Sequence, residues 1–151
     1  MKKYKNSIAF RVDVSHKIGI GHLKRLINFL EYLKINKNKI FWIIKGDKVI
    51  TFKILRKKYK NIYFFKNEYS PKIIHILNKK KIDTIIFDIG HKENIFNNTL
   101  QKKINFFKKK EIKTISFNHP DKKTKSDISI NPYLFKNKKK INKNVELSGY
   151  K

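Results

Sequence analysis

The sequence predicts an α/β domain in which a parallel sheet is covered by helices on both faces. Three observations predict it. Six short apolar runs have the length and composition of strands, the stretches between them carry apolar residues at helical spacing, and the two patterns alternate along the chain. Strand and helix in strict alternation favour parallel pairing through right-handed crossovers, with ligands gathered at the carboxyl ends of the strands.

In order, the first strand is expected over Ile8–Val12, and a helix follows in which Leu23, Leu26, Ile27, Leu30 and Leu33 fall on one face at a period of 3.6. The second strand is Ile40–Ile44, followed by a helix about Val49–Lys58, and the third is Ile62–Phe65. Ser70-Pro71 then gives an N-cap with proline at the first helical position, opening a helix over Pro71–Lys80. Thr84–Phe87, a helix about Asn97–Lys110, Thr114–Phe117 and Ile128–Ile130 complete the series. The pattern closes near Pro132, and Lys136–Asn144 is so rich in Lys and Asn that a solvated loop or frayed helix is expected. At 151 residues the chain fits one domain able to bury roughly 70% of its unfolded surface. Residues 1–146 are read as a Rossmann-like domain.

Composition limits the chemistry. Without cysteine there are no disulfides, thiol nucleophiles or cysteine-bound zinc, in keeping with a reducing compartment. No apolar run is long enough to cross a bilayer, and Met1–Ser7 leads into a strand rather than a signal-peptide core. A cytoplasmic location without a membrane partner is expected. The net charge of +27 would ordinarily point to nucleic acid. However, of 38 basic residues only Arg11, Arg25 and Arg56 are arginine, and Ala9 is the sole alanine amid abundant Ile, Asn and Lys. Such a bias is what an AT-rich coding sequence produces, and phosphate or base recognition favours arginine forks. No specific nucleic-acid partner is expected.

The most informative segment runs from Phe10 to Arg25, where a strand, the turn Gly19-Ile20-Gly21-His22 and an amphipathic helix follow in immediate succession. Glycines allow close backbone approach to a ligand, and the free N–H groups at a helix start attract phosphate. An imidazole there can serve as a general base near neutral pH. Each residue also has a plainer reading. The glycines can make a tight turn, His22 can simply begin a helix, and Asp13 and Ser15 can cap the turn through backbone bonds. Arg11 can pair with Asp13 or Asp88, and Arg25 can form a surface ion pair with Glu31 or a neighbour. His91, after Asp88-Ile89-Gly90, sits where ligands gather. His16, His75 and His119 show no metal-ligand spacing with carboxylates, and no metal or cofactor is expected.

Arg11-x-Asp13-x-Ser15-x-x-Ile18-Gly19-x-Gly21-His22-x-x-Arg25 resembles, in order and spacing, the signature of the UDP-sugar hydrolase of pseudaminic acid biosynthesis and its spore-coat-polysaccharide relatives. Ile85-Ile86-Phe87-Asp88 and Asp127-Ile128-Ser129-Ile130-Asn131 are similar to further strands of that family, and Leu147–Lys151 to its junction between two domains. The family often has an aromatic residue soon after the aspartate matching Asp88, where this chain has Ile89-Gly90-His91. The resemblance implies the amino-terminal half of a MurG-like GT-B glycosyltransferase fold. It also implies hydrolysis of UDP-2,4-diacetamido-2,4,6-trideoxy-β-L-altropyranose to UDP and free sugar for a surface polysaccharide. His22 would then activate water for inverting attack at the anomeric carbon, and Arg11, Asp13, Ser15, Gly19, Ile20, Gly21, Arg25, Asp88 and His91 would contact substrate. UDP is a stable anionic leaving group, so the second carboxyl of ordinary glycosidases can be dispensed with. On this reading residues 147–151 open a junction to a UDP-gripping carboxy-terminal domain lying outside this sequence, and a separately encoded copy of it is the expected protein partner. Two other readings stand beside it: a nucleotide-sugar-binding half-domain without catalysis, and a basic nucleic-acid-binding protein. The hydrolase reading places the Gly19–His22 turn at the carboxyl end of the first strand, beside the strand ends at Asp88 and Asn131.

Overall fold

A computed structural model describes residues 7–15, 20–66, 69–89, 99–117, 124–131 and 146–148. Strands β1 (Ser7–Val14), β2 (Ile40–Gly46), β3 (Ile62–Phe64), β4 (Ile82–Asp88), β5 (Lys113–Phe117), β6 (Ile128–Asn131) and β7 (Glu146–Ser148) form one sheet in the order β3-β2-β1-β4-β5-β6-β7. Every pairing is parallel. Helices α1 (Gly21–Leu33), α2 (Lys48–Leu55), α3 (Pro71–Lys79) and α4 (Thr99–Lys108) lie in the first four connections. All six expected strands and all four expected helices are present, so the Rossmann-like α/β architecture holds. The seventh strand adds to that expectation: Leu147 and Ser148, read as the start of a junction, lie beside Ile130 and Asn131 on the sheet edge.

Two apolar layers sandwich the sheet, and side-chain alternation along each strand decides which residue enters which layer. Phe10, Val12 and Val14 of β1 pack with Trp42, Ile44 and Ile86 beneath Leu23, Leu26 and Leu30 of α1. Ala9, Ile43, Ile85 and Phe87 point the other way, against Ile73 and Leu77 of α3 and Leu100, Ile104 and Phe107 of α4. Leu23 and Leu26 are wholly buried, and each such side chain contributes about 1.5–3 kcal/mol. Sequence sets the helix starts: Asp47 caps α2 by accepting from Ile50 N–H at 2.9 Å, and Ser70 caps α3 by accepting from Lys72 N–H, with Pro71 next.

Gly46 holds the ends of β1 and β2 together. Its φ is +130°, and a Cβ there would lie 1.8 Å from the Val14 carbonyl oxygen, the oxygen that accepts from Asp47 N–H at 2.7 Å. The order of strands makes β1 and β4 neighbours although β2 and β3 intervene in the chain. Winding reverses there, and a crevice at the carboxyl ends of these two strands is the place where such sheets receive ligands.

Candidate functional site

Helix α1 begins at the carboxyl ends of these two strands in an unusual way. Its N-cap position is Ile20, no side chain caps it, and its first turn holds no acidic residue. The amides that Asp47 and Ser70 help to satisfy at α2 and α3 are left at α1 to other partners, which suits an anion. Gly21 is exposed, has no left-handed φ, and a Cβ placed on it would meet nothing within 4 Å. Its lack of a side chain therefore serves no packing need within the described residues and leaves space above the helix start. Gly19 and His91 lie outside the described residues.

Residues 22 and 25, one turn apart, present both side chains on one face of α1. Asp88 ends β4 with its side chain on the same face of the sheet as Ile86, and so meets them. His22 Nδ1 lies 2.6 Å from Asp88 Oδ1; Arg25 donates from Nη2 to Oδ1 at 2.6 Å and from Nε to Oδ2 at 2.8 Å. Asp88 is 1% exposed and has both oxygens occupied, whereas the His22 and Arg25 side chains are 19% and 23% exposed. Phe117, at the end of β5, lies 5.5 Å from the Arg25 guanidinium and packs edge-on against Phe29.

These contacts assign a tautomer. Arg25 Nη2 also approaches His22 Nδ1, at 3.0 Å, yet a guanidinium only donates. At 2.6 Å from a carboxylate oxygen, Nδ1 carries a proton and donates to it, and the 3.0 Å approach reflects two donors converging on Oδ1. Nε2 is then the imidazole's remaining nitrogen, with its lone pair available in the neutral ring.

Arg11 and Asp13 take a different place. They alternate with Phe10, Val12 and Val14 and so lie on the α3/α4 side of β1, where Arg11 Nη1 donates to Asp13 Oδ1 at 2.6 Å; the side chains are 1% and 3% exposed. Of the two partners considered for Arg11, the structure selects Asp13 for this bond. Asp13 Oδ2 is buried and has no hydrogen-bond partner among the described residues. Ser15 follows at the strand end, half-buried. Arg25 turns to Asp88 rather than to Glu31, which binds Lys58 at 2.8 Å. Asp127 also serves the scaffold: at the start of β6 it accepts from the Thr114 N–H at 2.7 Å and hydroxyl at 2.9 Å and pairs with Lys108 at 2.9 Å. Asn131 ends β6 on the same sheet edge as Asp88, with β5 between them.

Sequence reasoning singled out His22, Arg25 and Asp88 separately and missed that they form one unit, and it missed Phe117 as the ring beside Arg25. The spacing of three between His22 and Arg25 was the available signal; the third member is 66 residues from His22. Among the described residues no group of three or more His, Asp or Glu could hold a metal ion, and His75 is exposed on α3. No protein-family model, curated protein or solved structure matches the chain, so the functional reading rests on this geometry and on the resemblance of its turn.

Proposed function

We propose that this domain is the base-bearing half of a hydrolase acting on a UDP-linked 2,4-diacetamido-2,4,6-trideoxy sugar in pseudaminic acid or related surface-glycan synthesis. The observation that carries the reading is the fixed imidazole. Asp88 accepts the Nδ1 proton of His22, and Arg25 holds Asp88 through both its oxygens.

In the proposed reaction a water donates its proton to Nε2 of His22 as its oxygen attacks the anomeric carbon. The bond from that carbon to the diphosphate oxygen breaks with its electron pair going to UDP, and the sugar leaves with inverted configuration. Asp88, already bonded to Nδ1, stabilises the imidazolium that forms, as the carboxylate does in a Ser-His-Asp triad. The uncapped start of α1 at Ile20 and Gly21 supplies amides for the phosphates. Asp88, with both oxygens occupied by the protein, acts here as a positioning residue.

The test uses UDP release from the UDP-linked 2,4-diacetamido sugar together with its binding by calorimetry. His22→Asn should lower turnover at least about a hundredfold and leave affinity within a few-fold. An equally active variant would remove His22 as the base. The isolated chain should turn over little substrate, and a carboxy-terminal family domain supplied in trans or by fusion should raise the rate, because it fixes the uridine and diphosphate. Binding without turnover even with that domain would favour the non-catalytic nucleotide-sugar-binding reading, and neither binding nor turnover in that form would end both.

A further inference from the structure

Opposite the crevice, the amino-terminal edge of the sheet carries a charge pattern that hydrolysis leaves unused. In a parallel sheet every crossover helix finishes, and the next strand begins, at that edge. Four successive connections arrive there loaded with lysine. The stretches 34–39 before β2 and 57–60 before β3 hold three lysines each, Lys79–Lys81 before β4 is wholly lysine, and residues 108–113 entering β5 hold four. All but Lys39 are exposed. Contacts tie neighbouring connections together: Lys58 reaches Glu31 at the end of α1, and Asn61 Nδ2 donates to the Asn38 carbonyl at 3.1 Å. With strands spaced about 4.8 Å apart, β3 to β5 set out a face roughly 19 Å wide. The acidic residues at this edge, among those described, are Glu31, Asp83, Glu111 and Asp127.

Two ordinary causes do not account for the pattern. Lysine in a last helical turn offsets the helix dipole, but Lys60, Lys81 and Lys113 lie beyond the helices, at or before the starts of strands. A lysine-rich composition explains abundance and not local density: lysine is 35 of the 151 residues of the sequence but thirteen of the nineteen in these four stretches. The same edge also carries exposed apolar side chains. Tyr32 is 83% and Leu33 40% exposed at the end of α1, next to Lys34.

We propose, in place of the expectation of no membrane partner, that this edge docks on a membrane surface rich in anionic lipid headgroups. A broad end of the sheet bearing lysine ammonium groups matches a layer of headgroup phosphates, and the lysine stems can lie along apolar surface with their charges outward. Tyr32 and Leu33 supply the amphipathic contact that a lipid interface accepts. Arg56 is the only arginine near this edge, so the forks that read bases and grip a duplex are nearly absent. Among the described residues no helix is long and apolar enough to span a bilayer, so the contact is peripheral. Docking by this end leaves the β1/β4 crevice unobstructed, and the proposal is independent of the reaction assigned there.

Sedimentation with vesicles tests it, using phosphatidylcholine alone or with about one-third phosphatidylglycerol. The intact chain should pellet with the anionic vesicles and not the neutral ones. Five substitutions on the edge, Lys57→Gln, Lys79→Gln, Lys80→Gln, Lys109→Gln and Lys110→Gln, should weaken that binding at least about thirtyfold. Five elsewhere, Lys48→Gln, Lys53→Gln, Lys66→Gln, Lys72→Gln and Lys102→Gln, carry the same charge change and should weaken it less than about threefold. Circular dichroism melts confirm that both sets fold. Tyr32→Ser with Leu33→Ser should reduce vesicle binding several-fold while leaving binding to a DNA duplex unchanged. Equal losses from the two lysine sets, or no binding of the intact chain to anionic vesicles, overturn the proposal. Tighter binding to the duplex than to vesicles, with the Tyr32 and Leu33 changes silent, would assign the face to nucleic acid instead.

Discussion

Replacing Asp88 by asparagine separates the charge of this carboxylate from its shape. The amide fills the same space at the end of β4, so packing around a residue that is 1% exposed is preserved. Three bonds change, at 2.6, 2.8 and 2.6 Å, each donated by His22 or Arg25 to a carboxylate oxygen. A hydrogen bond to a charged group contributes roughly 1.5–3 kcal/mol, but His22 and Arg25 keep enough exposure to rehydrate, so the loss should fall near 2–4 kcal/mol rather than the full sum. For a domain of this size that lowers the midpoint of thermal unfolding by roughly 5–15 °C. The imidazole gives a second readout that mere destabilisation does not. In Asp88→Asn the new side-chain amide can turn toward the ring and donate to Nδ1, moving the proton to Nε2, where it removes the acceptor that the proposed reaction requires. Long-range proton–nitrogen correlation spectra report the tautomer directly, and should show the Nδ1-protonated form in the natural chain and a shift toward the Nε2-protonated form in Asp88→Asn. Unchanged tautomer with a melting point within about 2 °C would refute the assignment of Asp88 as the group that holds His22.

Gly46→Ala should destabilise the fold by at least about 2 kcal/mol, measured by urea denaturation, because the added Cβ meets the Val14 carbonyl oxygen at 1.8 Å with φ at +130°. Leu26→Ala, at a wholly buried position under β1, should lose about 2–5 kcal/mol in the same assay without moving the His22 tautomer. Burial favours the neutral carboxyl of Asp127, but the bonds from Thr114 and Lys108 and the Lys108 charge outweigh it and hold its pKa below the ordinary 3.8. The carboxylate therefore adds stability above that value and loses it as pH falls through the lowered one, so the stability gap between the natural chain and Asp127→Asn should be constant above about pH 5 and close below 3.8.

Much of the fold was legible because each strand is a compact β-branched or aromatic run and each helix carries a periodic stripe. Ile40–Ile44 and the leucines of α1 could hardly be read otherwise. The strand Glu146–Ser148 was not, since three residues give no period and its pairing with β6 is a tertiary choice. For the site, His22 at the start of α1 was visible locally. Face assignment needed more: Arg11 and Asp13 share a strand with Val12 and Val14, and strand parity sends them to opposite sides of the sheet. Parity was available in the sequence and went unused for those two residues. The register that sets Val12 of β1 beside Asp88 of β4 was not available, because it depends on β4 inserting next to β1 across the chain reversal. Likewise the count of lysines carried little information, and their recurrence before β2, β3, β4 and β5 gained meaning only when those strand starts came to one edge.

The two ends of the sheet thus differ for a reason rooted in the alternation itself. Once strands run parallel, all helix starts face one edge and all helix ends the other, so partial positive charge collects at the first and partial negative at the second. At the starting edge α2 and α3 satisfy their own amides through Asp47 and Ser70, while α1 keeps no side-chain cap and brings His22 against Asp88. The proposed hydrolysis accordingly places its phosphates at α1, beside capped neighbours. At the opposite edge the helix ends alone would repel anions, and lysines in excess of what the dipoles require reverse that sign. If both proposals hold, a polyanion attracted by the +27 charge meets the lysine-rich edge, and the start of α1 is left to the smaller anion of the proposed reaction.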